Sequence, residues 1–244
     1  MRLMPLVSTA FVFLLSGPAV AQEWSQYTSR ADLFTVNFPG EPQVRDISYA
    51  TESRSTLPGQ VHTVDTGSNR YSVTVIDYAN VEDEELRGAL DYAAWTFLQR
   101  DAEVTHYAYY DAERVEGRRL QLTNGDRSRT FAAIHMHENR LYIFEGTVPP
   151  GAPPPGMFQQ SVGWVDQEGF RVRYETTYEN MHPPPLRVEY GQESAGVPDL
   201  LGVPLGGRRS FTEGPFAGQT WGVDGSGQPY RVREGAPSSA KGYP

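Results

Sequence analysis

The chain has 244 residues, a formal net charge of -9 and no cysteine. Its acidic balance excludes nucleic acid as a partner, because phosphates demand a basic patch. Lack of cysteine excludes disulfides, thiol catalysis and lipid attachment at a cysteine behind a leader.

At the N-terminus, Arg2 is the only charge before an apolar run from Leu6 to Leu15, and Pro18 precedes the small-residue triplet Ala19-Val20-Ala21. This is the pattern of a secretory signal over residues 1–21, cleaved before Gln22. Ser8, Ser16, Gly17 and Pro18 interrupt a stretch already shorter than the roughly 20 apolar residues of a membrane span. The expectation is a periplasmic or secreted product with no stable membrane insertion after cleavage.

Beyond the signal, period two dominates. Phe34, Val36 and Phe38 alternate with Thr35 and Asn37, and Tyr71, Val73 and Val75 alternate with Ser72 and Thr74, as half-buried strands do. Pro39 and Pro42, unable to donate to a ladder, end the first of these. Trp24 and Tyr27 are expected along the sheet edge or under a helix. Further strands are read at 43–49 and 60–65. The period then changes: from 82 to 100, Leu86, Leu90, Ala93, Ala94, Phe97 and Leu98 recur at helical spacing. Asn80 stands where a cap belongs, and the acids at 82–85 suit the positive end of the helix dipole better than a cation site. Trp95 falls roughly opposite the apolar stripe. Strands follow at 105–112, 118–123, 129–137 and 141–148. Asn124-Gly125 signals a two-residue type I′ hairpin, and Glu138-Asn139 a second turn. After the proline-rich turn 149–155 come a short helix at 156–163 and a last strand at 170–175.

Composition then shifts. Residues 24–176 hold 8 Pro and 11 Gly in 153 positions, whereas 177–244 hold 9 Pro and 12 Gly in 68, the level of low-complexity sequence. The expected organisation is a folded domain at 22–176 and a partly disordered Pro/Gly-rich extension at 177–244. Short strands are possible there at 187–190, 220–223 and 228–232, with Phe211, Phe216, Trp221 and Tyr230 to dock on something. The run Pro183-Pro184-Pro185 favours an extended spacer or a ligand for an aromatic groove, and 235–244 is expected to be disordered.

Reactive motifs are missing: the sequence has no nucleophile elbow, phosphate loop, dinucleotide fingerprint or zinc-protease helix, and no cofactor is implied. The candidate that stands out is His135-Met136-His137, where alternate residues of a strand share a face and both imidazoles can reach one metal ion. His62, His106 or Glu138 are candidate third ligands. The alternative is a polar sheet face or solvated strand end with Ile134 and Met136 inward. Asp77, Asp111, Glu113 and Glu145 are carboxylates available for acid-base work, with no spacing that pairs any two.

Trp24-x-x-Tyr27, the run from Leu33 to Pro42, and Tyr71-Ser-Val-Thr-Val75 ending in Asp77-Tyr78 resemble the start of exported bacterial domains of the PsbP-like and Mog-type kind. Asn139 to Phe144, then Phe158-Gln-Gln-Ser161, resemble their closing strand and helix. The resemblance implies an α+β fold, a mainly antiparallel sheet flanked by helices in an α/β/α sandwich. Its better-known relatives, a photosystem extrinsic subunit and a small GTPase partner, are accessory or binding proteins. The expected function is therefore non-enzymatic binding of an unknown protein or small ligand of the cell envelope. Metal or small-ligand binding through His135 and His137 is the alternative, and a hydrolase with noncontiguous site residues a third.

Overall fold

A computed structural model describes residues 23–81, 83–178 and 197–234. The signal segment 1–21, the proline run 183–185, the expected strand 187–190 and the segment 235–244 lie outside the described residues.

The alternating segments form two seven-stranded sheets. The central sheet comprises β3 (Gln43–Ala50), β4 (Thr56–Asp65), β5 (Arg70–Asp77), β6 (Ala102–Ala112), β7 (Val115–Asn124), β8 (Arg129–His137) and β9 (Arg140–Val148), ordered β3-β4-β5-β9-β8-β7-β6. The terminal sheet is drawn from the two ends of the chain: β1 (Ser25–Ser29), β2 (Phe34–Phe38), β10 (Gly163–Val165), β11 (Arg171–Tyr174), β12 (Arg208–Ser210), β13 (Thr220–Val223) and β14 (Pro229–Arg233), ordered β1-β2-β10-β11-β14-β13-β12. Among the described strand pairs all are antiparallel except β11 with β14.

The helical stripe forms α1 (Asp83–Leu98). Leu86, Leu90, Ala93, Ala94 and Phe97 pack on Leu120, Leu122, Ile134, Met136 and Leu141 of the central sheet. The sheet's other face turns Val73, Val75, Tyr142 and Phe144 toward Phe34, Val36, Phe38 and Trp164 of the terminal sheet. The central strands therefore bury both faces, and α1 and the terminal sheet are the two covers. Burying a Leu- or Phe-sized side chain is worth about 1.5–3 kcal/mol, so both covers contribute substantially to stability. The α+β fold with helices flanking mostly antiparallel sheets is as expected. Opposite α1, however, the covering layer is made of strands, and α2 (Gly156–Gln159) only closes its end, seating Phe158 5.4 Å from Phe38 and 5.5 Å from Tyr71.

Three local expectations change. The short helix stops at Gln159 rather than 163: the Asn37 amide donates to Ser161 Oγ at 2.7 Å, and the chain extends into β10, where Trp164 lies opposite Phe34. The Asn124-Gly125 hairpin is a longer loop, with the Asn124 amide donating to Ser128 O and the positive φ at Arg127, 65°. Conversely, Glu138-Asn139 does form a two-residue turn with φ of 46° and 57°, and Glu113-Arg114 forms another with 48° and 65°. Neither contains the glycine that makes left-handed backbone easy, and each is held by contacts from the terminal sheet. Arg171 and Arg173 pair with Glu113 at 3.2 and 3.3 Å, and Arg233 pairs with Glu138 at 2.9 Å.

Strand pairing also crosses the compositional boundary. β14 runs beside β11 in register from Arg171 opposite Tyr230 to Tyr174 opposite Arg233. Arg231, 7% exposed, pairs with Asp166, 3% exposed, at 2.9 Å and lies over the rings of Phe170 and Trp221.

Candidate functional site

β8 places His135 and His137 on one face and Ile134 and Met136 on the other, as period two requires. The faces are not polar and apolar, however. Ile134 and Met136 meet α1, while His135 and His137, 0% and 1% exposed, point into the core between the sheets. This corrects the expectation of a polar face or solvated strand end: β8 sits between β7 and β9 with a cover on each side, so no side chain at its centre reaches water.

His135 Nδ1 donates to the carbonyls of Val115 at 3.1 Å and Glu116 at 3.2 Å. That fixes the tautomer and leaves Nε2 bare in the core, where it has no hydrogen-bond partner among the described residues. Space for the ring exists because residue 117, opposite on β7, is glycine: a Cβ there would lie 2.5 Å from His135 Nδ1 and closer still to Ile134 O. Gly117→Ala is therefore expected to cost about 3 kcal/mol through overpacking, read as a lowered midpoint in urea unfolding. An unchanged midpoint would mean that the ring and strand move aside freely.

His137 Nε2 shares a 2.6 Å hydrogen bond with the Tyr174 hydroxyl, and its ring lies 4.6 Å from Trp164 and 5.1 Å from Tyr178. Its Nδ1 has no hydrogen-bond partner among the described residues. Trp164 Nε1 in turn donates to Ala112 O at 2.9 Å. Burial pulls the His135 pKa down to about 4, against its two carbonyl bonds. Burial, then the charges of Arg233 and Arg140, hold His137 well below the ordinary imidazole value. Burial raises Tyr178 to about 12 and Tyr174 well above the usual phenol. The seam is thus neutral at physiological pH.

None of the expected third ligands joins the pair. His106 lies on β6, Glu138 is taken up by Arg233, and His62 belongs to a separate cluster. Among the described residues no group of three or more His, Asp or Glu is placed to hold a metal ion. Three of the candidate carboxylates have partners of their own: Glu145 takes a two-pronged bond from Arg100, Glu113 holds Arg171 and Arg173, and Asp77 accepts from the Ala79 amide. Asp111 stands exposed on β6.

The cluster around His62 was not legible beforehand, apart from His62 itself. His62 Nε2 donates to Asp32 Oδ2 at 2.8 Å, the Tyr27 hydroxyl donates to Nδ1 at 3.1 Å, and Ser29 Oγ donates to Asp32 at 2.7 Å. Tyr142, from the central sheet, donates to Asp32 O at 2.7 Å. Burial pushes Asp32 up, but the bonds from His62 and Ser29 outweigh it and leave the carboxyl below its usual range. Burial, then the Asp32 and Glu41 charges, raises Tyr27, so the phenol is not activated as a nucleophile. The network ties the β1-β2 turn to β4 and β9. A local hint lay in the Ser29-x-x-Asp32 spacing of a tight turn.

A cleft of about 280 Å³ opens elsewhere, lined by residues that include Gln26, Phe170, Arg171, Asp224 and Gln228. Its charged groups are engaged: Arg171 with Glu113, and Asp224 with the amides of Ser226 and Gln228. On the outer side of α1, Trp95 is 51% exposed and stacks on Tyr92, ring centres 5.8 Å apart and planes 22° apart.

No known protein family's sequence pattern matches the chain, and no curated protein matches it. Among solved structures it has a weak structural resemblance to the solution structure of cyanobacterial PsbP (CyanoP) from Synechocystis sp. PCC 6803: 14% identity and a TM-score of 0.34, over 55% of this chain and 84% of that one. No helix among the described residues is long and apolar enough to cross a membrane.

Proposed function

We propose that the protein acts outside the cytoplasm, in the periplasm or secreted, as a non-enzymatic binding or accessory protein for a protein or small ligand of the cell envelope. The observation that carries this reading is the solvent-facing Trp95-Tyr92 stack, since exposed tryptophan and tyrosine are enriched where partners dock. His62, His135 and His137 are buried and engaged between the two sheets, and the signal-like N-terminus supports export. The same reading takes residues 22–176 as a PsbP-like unit and 177–244 as an extension of it.

Affinity capture of the tagged protein from its own envelope fraction tests this. Trp95→Ser is expected to leave the unfolding midpoint within about 0.5 kcal/mol of wild type, as exposed substitutions do, while removing a captured component. Identical capture by both proteins would remove the support from Trp95, and turnover on a broad panel of ester, peptide and glycoside substrates would replace the reading with the hydrolase one.

A second reading, metal or small-ligand binding at His135 and His137, rests on their two bare ring nitrogens. Calorimetry with zinc, copper and manganese tests it, and equal heats from wild type and His135→Asn/His137→Gln would end it.

A further inference from the structure

Both sheets end in edge strands, and unprotected edges pair with other chains. β1 has 5 residues and β12 has 3, too short to template much pairing. β3 carries Arg45 and Asp46 near its middle. β6 differs: it has 11 residues without lysine or proline, and among the described residues it pairs on one side only, with β7. No acid, lysine or arginine lies between Glu103 and Asp111. Val104, Tyr107 and Tyr109 are 39%, 47% and 59% exposed. All three stand on the face that bears α1, opposite Leu122, Leu120 and Arg118 of β7. α1 lies over β7 and β8 rather than over this row, and the Arg118 guanidinium lies 6.0 Å from the centre of the Tyr109 ring.

We infer that the β6 edge pairs with the β6 edge of a second copy of this chain, antiparallel, about a two-fold axis at Ala108. A two-fold axis sets a strand against itself, so its own sequence decides the register. The tight turn at Glu113-Arg114 makes Ala112 and Val115 the inward bonded pair, so Tyr107, Tyr109 and Asp111 aim their N–H and C=O groups outward. With the axis at Ala108, Tyr107 of each copy faces Tyr109 of the other, and Asp111 faces Thr105. These cross-strand aromatic pairs are the kind that stabilise sheets. An axis at Tyr107 would set Glu103 against Asp111, a like-charge pair, and an axis at Tyr109 would set Tyr107 against Asp111 instead of a ring. The bulge between Val104 and His106 bounds the regular run. This pairing goes beyond the partner binding assigned to Trp95 and stands without it.

The lack of native cysteine makes the test clean. Sedimentation of the purified protein from about 1 to 100 μM is expected to show a concentration-dependent dimer, and Tyr109→Lys to raise its dissociation constant at least tenfold with an unchanged unfolding midpoint. Ala108→Cys is expected to give a disulfide-linked dimer on mild oxidation, because a non-hydrogen-bonded cross-strand pair, about 4.5 Å between Cα atoms, is within disulfide reach. Trp95→Cys, on α1, is the control that should not crosslink. A monomer at every concentration, a dimer indifferent to Tyr109→Lys, or crosslinking as fast at 95 as at 108 overturns the inference. So does hydrogen-exchange protection of the outward β6 amides in a monomer, which would place a different occupant on the edge. Should Tyr109→Lys disturb folding, the Ala108→Cys crosslink decides by itself.

Discussion

Lowering the pH from 7 to 4.5 is expected to remove about 2 kcal/mol of stability through His135 alone. Burial brings its folded pKa to about 4 against an ordinary imidazole value of 6.5, so between those values the unfolded chain binds a proton that the folded one refuses. The stability is fully present above pH 6.5 and drains away as the pH falls toward 4. His137 adds to the loss in the same direction, since burial and the charges of Arg233, Arg140 and His135 all oppose its protonation. Tyr174 and Tyr178, packed against it, are pushed upward and do not titrate in this window. Asp32, held low, contributes to acid lability only below the ordinary carboxylate range. The check is urea unfolding at pH 7, 5.5 and 4.5 for wild type and for His135→Asn/His137→Gln. Asn retains a donor where Nδ1 was, and Gln reaches where Nε2 was. The double variant is expected to be less stable at pH 7 but nearly flat between 7 and 4.5. A wild-type slope preserved in the variant would assign the acid sensitivity elsewhere.

Arg231→Met is expected to cost about 3 kcal/mol at neutral pH, the usual consequence of leaving one partner of a buried ion pair alone. Asp166 is 3% exposed and Arg231 is 2.9 Å away. Burial already raises the Asp166 pKa, and the Arg231 charge opposes that rise. Without the guanidinium the carboxyl protonates more readily, so the deficit relative to wild type should shrink as the pH is lowered. Asp166→Asn in the Arg231→Met background should recover part of the loss. Because β14 bears Arg231 and lies beside β11, the single variant should also expose residues 197–234 to limited proteolysis before the rest of the chain. Cleavage no faster than in wild type, with an unchanged midpoint, would show that the pair does not hold these strands.

The arginines have a similar lesson. Spread along the sequence, they look like surface residues with no common task. In the fold, Arg171, Arg173, Arg231 and Arg233 line neighbouring strands and engage Glu113, Asp166 and Glu138. Two turns without glycine adopt positive φ at the points where these side chains arrive. Turn chemistry read locally favoured Asn124-Gly125 and overlooked Glu113-Arg114, because the second is held by groups about 60 residues away along the chain and the signal for it is not local.

By itself the sequence determined the periodic elements: the alternation of 34–38 and 129–137 and the apolar stripe of α1 appear where their spacing puts them. Periodicity is a property of neighbouring residues and survives whatever the chain packs against. Which face of a strand meets water is a different matter. The His135-Met136-His137 run reads as half polar, yet both faces are buried because α1 covers one side and a sheet assembled from both ends of the chain covers the other. The Tyr27-His62-Asp32 network, the strands formed beyond the Pro/Gly shift, and the place of β6 at the end of its sheet among the described strands likewise depend on pairings between distant segments. Only the tertiary structure decides those, since the free energy that selects them comes from surfaces meeting in space rather than from any window of sequence.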